Sequence, residues 1–109
     1  MNIQITGKQI DIGQALASHV RARLSEDIAK YAERATSAQT TFSREGSGYR
    51  ADCSVHLPGG TLLQAHGSAD EIYASFGEAA ARLVKQLRRL KRKHAAHHQR
   101  ADETGVKSR

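Results

Sequence analysis

The sequence DEIYASFGEAAARLVKQLRRLKRKHAAHH, residues 70–98, has the strongest helical pattern in the chain. After an opening pair, its apolar residues recur at steps of three and four, which is the spacing of one buried helical stripe. These residues are Ile72, Tyr73, Phe76, Ala80, Leu83, Leu87 and Leu90. The pattern predicts a long helix, from Asp70 to about His98, whose first half closes a hydrophobic core.

The second half of this predicted helix carries a concentrated positive charge. Seven basic residues occur there with no acidic residue among them: Arg82, Lys85, Arg88, Arg89, Lys91, Arg92 and Lys93. Solvated helix faces usually mix signs, and like charges four residues apart repel by a few tenths of a kcal/mol. The helix dipole would favour two or three cations near a C-terminus, but not seven. We therefore expect this surface to bind a polyanion.

The rest of the 109-residue chain is slightly acidic, so its formal net charge of +6 comes from this local feature. Residues 1–81 hold seven Lys or Arg against nine Asp or Glu, whereas residues 82–100 hold eight basic residues and no acidic one. Such an excess implies a nucleic acid or an anionic membrane surface. A membrane-surface helix needs a broad apolar face. Here the core uses the apolar stripe and nothing bulky follows Leu90, which favours nucleic acid.

The N-terminal third predicts one strand and one helix. Residues 2–8 alternate apolar and polar side chains, as in a half-buried strand. Asp11 stands three residues before Gln14, as in a capping box, and apolar residues then recur at helical steps from Ile12 to Tyr31.

Three further strands are predicted over residues 38–45, 49–57 and 61–67, joined by glycine-containing turns. The register of the last strand stays open, because Leu62 and Leu63 are adjacent and cannot both face the core. Residues 68–71 match the S-x-x-E capping box and would start the last helix.

The predicted fold is therefore α+β, with the order β-α-β-β-β-α. Both helices should cover one face of a four-stranded sheet that contains an antiparallel meander. Double-stranded-RNA-binding domains have a similar architecture and read backbone shape, so a general module of that kind is an alternative function. We expect one domain over residues 1–98. Residues 99–109 lack periodicity and predict a disordered polar tail or the start of a linker.

The outer face of this sheet should be exposed to water. Its predicted residues are Gln4, Arg50, Asp52, Ser54, His56, Gln64 and His66.

An enzyme has little support in the sequence. Cys53, the single cysteine, falls on the inward face of its strand, which indicates a structural role and excludes an internal disulfide. A metal site at His56 and His66 is a third hypothesis, but no Asp, Glu or Cys of matching geometry accompanies them. We expect no catalytic residue, no metal and no cofactor.

No signal peptide or membrane span is apparent, so we expect a soluble, cytoplasmic protein.

Three separated blocks resemble the ribosome hibernation-promoting factor family, which includes ribosome-associated inhibitor A. They read ITGKQIDIGQALASHV at 5–20, GYRADCSVHLPGGTLLQAHG at 48–67 and ADEIYASFGEAAARLVKQLRRLKRK at 69–93. The resemblance spans residues 2–93 and implies the same β-α-β-β-β-α fold. It further implies a non-enzymatic factor that docks in the mRNA and tRNA channel of the small ribosomal subunit. There it would contact rRNA near the A and P sites and exclude mRNA, tRNA and initiation factors when growth stops.

The resemblance also implies contact residues. The seven basic residues of the last helix are the first rRNA-binding candidates, and Tyr73 and Phe76 would be core residues. Secondary rRNA-binding candidates are Lys8, Arg21, Arg23, Arg44 and Arg50.

Long family members continue through a linker into a second domain that pairs two ribosomes. This chain ends at Arg109, so we expect it to lack that segment, either as a short form or as the N-terminal fragment of a long one.

Overall fold

A computed structural model of the chain describes residues 1–32 and 34–107, with side chains to residue 93. Its elements, in order, are β1 (Asn2–Gly7), α1 (Gln14–Tyr31), β2 (Ser37–Glu45), β3 (Gly48–His56), a short 3₁₀ turn (Pro58–Gly60), β4 (Leu62–Ala69) and α2 (Ile72–Lys107). The predicted element order and the α+β class are confirmed.

The four strands form one sheet in the order β1-β2-β3-β4. β1 and β2 are parallel, because α1 carries the chain back between them, whereas β2, β3 and β4 form the antiparallel meander. Glu45 pairs with Gly48 across the first turn, where Gly46 has a φ of 59° that suits glycine.

The pairing of β4 with β3 settles the register of the last strand. Leu63 lies opposite Val55 and is half-buried on the core side, whereas Leu62 is 44% exposed. Side chains alternate between the two faces of a strand, so this register turns Ala65 and Gly67 toward the helices as well.

One core fills the space between the sheet and both helices. Its largest buried apolar side chains are Phe42 and Val55 from the sheet, Val20, Leu24 and Ile28 from α1, and Phe76, Leu83 and Leu87 from α2. Cys53 is buried as predicted, and its Sγ lies 3.4 Å from the buried hydroxyl of Thr40.

Helix α2 approaches β4 so closely that no side chain fits at Gly67. A Cβ on Gly67 would lie 2.5 Å from both the amide nitrogen of Ala79 and the carbonyl oxygen of Ser75. Both atoms belong to the helix backbone and cannot rotate away. The small residues Ser75 and Ala79 lie at this contact, and both are buried.

Three side chains of α2 also hold the free edge of β4. Arg82 Nη1 donates to the carbonyl of His66 at 2.8 Å, and Gln86 Nε2 donates to the carbonyl of Gln64 at 2.6 Å. The amide of Ser68 donates to Glu78 Oε1 at 3.4 Å. Four helical residues rise about 6 Å and two strand residues about 6.6 Å, so the two spacings match. This ladder covers an edge strand and fixes the direction of α2 along it.

Both predicted capping boxes are wrong. Helix α1 begins at Gln14 after Gly13, which makes no side-chain cap, so Asp11 lies ahead of the helix. Ser68 belongs to β4 and its hydroxyl donates to Glu45, while α2 begins only at Ile72. At Ser68 the pairing of β4 with β3 outweighs the local capping signal.

Tyr73 is also not the core residue that the sequence predicted. Phe76 is fully buried, but Tyr73 is 44% exposed, with its ring 5.2 Å from the ring of His19 on α1. The centre of the buried stripe passes through Phe76, Ala80 and Leu83, which places Tyr73 on its flank.

Helix α2 continues to Lys107, past its expected end near His98. Residues 99–103 contain no proline or glycine, so nothing local stops the helix before Gly105. The division of the chain at residue 98 stays a prediction, and residues 108 and 109 of the predicted tail lie outside the described residues.

The close approach at Gly67 predicts a sharp contrast between two glycines. Gly67→Ala should lower the free energy of unfolding by about 2 kcal/mol, because the added methyl overlaps backbone atoms. Gly77→Ala, in a helix position where a Cβ meets nothing within 4 Å, should instead raise it by about 0.5–1 kcal/mol. Urea unfolding followed by circular dichroism measures both. Equal effects of the two substitutions would contradict the contact.

Candidate nucleic-acid interface

The C-terminal halves of both helices lie at the same end of the sheet. β1, β2 and β4 run in one direction, and each helix follows one of these strands and returns along the sheet. The last turn of α1 therefore lies beside the basic half of α2. Lys91 Nζ donates to the carbonyl of Lys30 at 3.3 Å, which joins the two helices there.

The basic residues of α2 differ in what their side chains contact. Arg82 is engaged with the protein itself, since it donates to the β4 edge and its Nη2 lies 3.1 Å from Glu78 Oε1. We therefore assign Arg82 mainly to holding the helix on the sheet.

Arg88 and Lys91 face α1 rather than solvent alone. The guanidinium carbon of Arg88 lies 5.9 Å from the ring centre of Tyr31, and Lys91 Nζ lies 6.0 Å from it. Cation–π contacts at this range are weakly favourable and hold both cations close to the helix junction.

The remaining four of the seven basic candidates on α2 form an exposed outer row, Lys85, Arg89, Arg92 and Lys93. Steps of three and four place them on one side of the helix, opposite the core. Among the side chains that the structure describes, none of the four has a hydrogen bond or an ion pair. Their repulsion is therefore not relieved within the described part of the fold.

The helix dipole does not explain the outer row. Its favourable effect on cations is confined to the last turn of a helix. Helix α2 ends at Lys107, so Lys93 lies more than three turns before its C-terminus. An external anion would relieve the repulsion among cations at this position.

The secondary candidates do not join this cluster. Lys8 and Arg44 lie at the opposite end of the sheet, where they line a shallow depression together, and the guanidinium of Arg44 stacks 4.8 Å above the ring of Tyr49. Arg21 is exposed on α1, and Arg23 is paired with Asp27 at 2.8 Å.

Arg50 lies on the outer face of the sheet, away from both helices. It donates to both carboxylate oxygens of Asp52, and Glu45 lies 3.9 Å away. The hydrogen bonds and charge of Asp52, with a smaller effect of Glu45, raise the pKa of Arg50 above its ordinary value. Among the candidates, Arg50 is therefore the one most fully engaged by carboxylates.

The outer face of the sheet, predicted to be exposed to water, is open to solvent. Five of its residues, Arg50, Asp52, Ser54, Gln64 and His66, line a broad polar depression.

Two basic residues that the sequence did not single out lie beside the basic half of α2. Lys30 and Arg34 line a groove with Tyr31 and Lys91 at the end of α1. Their own stretch mixes charges, so only the shared direction of the two helices could have indicated them.

The structure gives Cys53 no reactive setting. Burial, opposed by the hydrogen bond with Thr40, raises the pKa of the thiol to about 11, so the thiolate is scarce at neutral pH.

Within the described residues, no group of three or more His, Cys, Asp or Glu could hold a metal ion. None of the described helices is long and apolar enough to cross a membrane.

Residues 3–95 match the family described as Sigma 54 modulation protein / S30EA ribosomal protein. The chain belongs to this family, which confirms the resemblance seen in the sequence.

Relatives and solved structures agree with this assignment. The chain is 37% identical over 98 residues to a ribosome hibernation promotion factor of Rhizobium meliloti, covering 90% of this chain and 52% of that protein. It is 31% identical over 103 residues to ribosome-associated factor Y of Haemophilus influenzae, covering 94% and 92%. The crystal structure of the Thermus thermophilus Protein Y N-terminal domain superposes with a TM-score of 0.74 at 28% identity, covering 83% of this chain and 99% of that domain.

The chain spans about half the length of the hibernation promotion factors from Rhizobium and Bradyrhizobium, 52% and 45%. It spans nearly all of the Haemophilus protein.

Arg82 contacts the protein and Arg89 has no hydrogen bond or ion pair among the described residues, so the same substitution should change the free energy of unfolding differently at the two positions. Arg82→Ala should lower the free energy of unfolding by about 1 kcal/mol, because it removes the hydrogen bond to the β4 edge. Arg89→Ala should leave it unchanged or raise it by a few tenths of a kcal/mol, because it relieves repulsion. Both variants lose one charge from the same helix, so urea unfolding at low salt compares them directly. A loss of stability in Arg89→Ala as large as in Arg82→Ala would refute the division.

Proposed function

We propose that this chain binds the small ribosomal subunit in the channel for mRNA and tRNA, near the A and P sites, and inhibits translation by occupying it. The observation that carries the proposal is the outer row, four exposed cations on a helix whose direction is fixed by the sheet. Membership of the family, with relatives named as ribosome hibernation and ribosome-associated factors, supports the ribosome as the partner. The place of action would be the cytoplasm.

Binding follows from the release of counterions. Phosphates of rRNA carry condensed cations, and Lys or Arg side chains that replace them gain free energy that depends steeply on salt. The outer row spans the nine residues from Lys85 to Lys93, a rise of about 12 Å along the helix. It therefore meets more than one phosphate without any rearrangement of the protein.

The chemistry of the side chains suits a structured RNA. Arg89 and Arg92 can donate two parallel hydrogen bonds to phosphate oxygens or stack on exposed bases, whereas Lys85 and Lys93 act as point charges. Lys8 and Arg44 would supply a second, weaker contact at the other end of the sheet. Inhibition needs no chemical step, since occupation of the channel excludes its other ligands.

Two matched charge reversals test the assigned surface. The variant Arg92→Glu with Lys93→Glu should bind purified small subunits at least about a hundredfold more weakly at moderate salt, because repulsion replaces two phosphate contacts. Lys8→Glu with Arg44→Glu changes the net charge equally but should weaken binding by about tenfold or less. Co-sedimentation over a range of salt concentrations measures both, with circular dichroism to establish folding.

Each alternative outcome has a distinct meaning. Unchanged binding by a folded Arg92→Glu, Lys93→Glu variant would overturn the assigned surface. If a plain RNA duplex competed as well as a small subunit does, the protein would be a general double-stranded-RNA-binding module instead. If binding were intact but protein synthesis in a purified translation system were unaffected, occupation of the channel would be excluded.

A further inference from the structure

We propose that a groove at the junction of α1, α2 and the 3₁₀ turn holds one unpaired nucleotide of the bound RNA. The inference rests on the proposed function and adds to it a feature of RNA that the outer row alone cannot recognise. The groove has a volume of about 430 Å³.

The groove exposes apolar surface where the core ends. Tyr31 closes α1, Leu57 and Pro58 lead into the 3₁₀ turn, and Leu90 is the last residue of the α2 stripe. Leu57 packs against the core but is only half-buried. Leu90, at the end of the stripe, is also half-buried, and Pro58 is exposed. This leaves a concave apolar surface open to solvent.

The Tyr31 ring is restrained by its neighbours, since it is partly buried against the core. The cationic groups of Arg88 and Lys91 both lie within about 6 Å of its ring centre, from the α2 side. A ring restrained in this way loses little conformational entropy when a ligand contacts it.

Positive charge surrounds the apolar surface. Lys30, Arg34 and Lys91 line the groove, and they outnumber Glu33, the one acidic residue in the sequence from Lys30 to Arg34. Lys91 spends one of its three donors on the Lys30 carbonyl, which leaves the others for a ligand. The ligand that complements the groove is therefore both apolar and anionic.

An unpaired nucleotide has this combination and an RNA duplex does not. In a duplex the base faces are stacked away, so only phosphates and sugars are presented. An extruded nucleotide offers a flat apolar base together with its phosphate, as in proteins that bind single strands. The groove lies at the small end of the usual range for ligand pockets, which suits one base rather than a helix or a folded partner.

The groove and the outer row lie on neighbouring sides of the same helix, since successive residues of α2 are turned by about 100°. Lys91 lines the groove, and Arg92 and Lys93 follow it directly in the sequence. A strand whose phosphates meet the outer row can therefore place a neighbouring base in the groove.

A titration followed by nuclear magnetic resonance tests this on the whole, unaltered chain. A single-stranded RNA hexamer should shift the amide signals of Arg34, Leu57 and Thr61. A duplex containing the same sequence should shift signals of the outer row and leave those of the groove unchanged. Absence of groove shifts with the hexamer, or equal shifts with the duplex, would overturn the proposal. So would groove shifts that only an apolar peptide produces, since they would assign the groove to a protein ligand.

Matched leucine substitutions give a second measurement. Leu90→Gln removes apolar surface from the groove without changing charge and should weaken hexamer binding by about tenfold while leaving duplex binding within about twofold. Leu62→Gln makes the same change at an exposed position outside the groove lining and should alter neither. Equal binding of the hexamer by the two folded variants would count against the groove.

The two proposals can fail separately. If the Arg92→Glu, Lys93→Glu variant no longer binds the small subunit, but the hexamer shifts no groove signals in the unaltered chain, only the groove proposal fails. If the groove binds the hexamer but the unaltered chain does not bind small subunits, the proposed function fails and the nucleotide site remains.

Discussion

The contact of the α2 backbone with Gly67 is the constraint on which the rest of the arrangement depends. The helix can lie on β4 only where the strand has no side chain, and Gly67 provides that place. Arg82 and Gln86 then hold the strand edge at the matching spacing. With position and direction fixed, the basic half of α2 must emerge at the end of the sheet where α1 also ends. A charged surface is thus presented on an element that the core keeps rigid.

Much of this architecture is predictable from local patterns, because alternation and helical periodicity report which face of each element is buried. Features set by pairing between distant segments are not. The orientation of Leu62 and Leu63 depends on how β4 pairs with β3. The start of α2 depends on how far this pairing extends, and Ser68 therefore belongs to β4 rather than capping the helix. The sequence predicts Tyr73 as a core residue because it lies three residues before Phe76. The same spacing also fits a position at the edge of the buried stripe, which is where Tyr73 lies.

The candidate site follows the same rule. Its seven basic residues are visible in the sequence, but their division is not, since it requires knowing that Arg82 reaches β4 and that Arg88 and Lys91 reach Tyr31. Lys30 and Arg34 belong beside them only because the two helices run in the same direction. The fold thus combines anchoring cations, which stabilise it, with an outer row whose repulsion costs a little stability. A bound polyanion would relieve that repulsion.

The most direct test of the account is the density of this protein bound to a ribosome, determined by electron cryomicroscopy. We expect the domain in the mRNA and tRNA channel of the small subunit, with Lys85, Arg89, Arg92 and Lys93 against rRNA phosphates and the outer sheet face turned away from them. A domain bound elsewhere, or one whose basic half of α2 faces solvent while mRNA and tRNA remain in place, would contradict it.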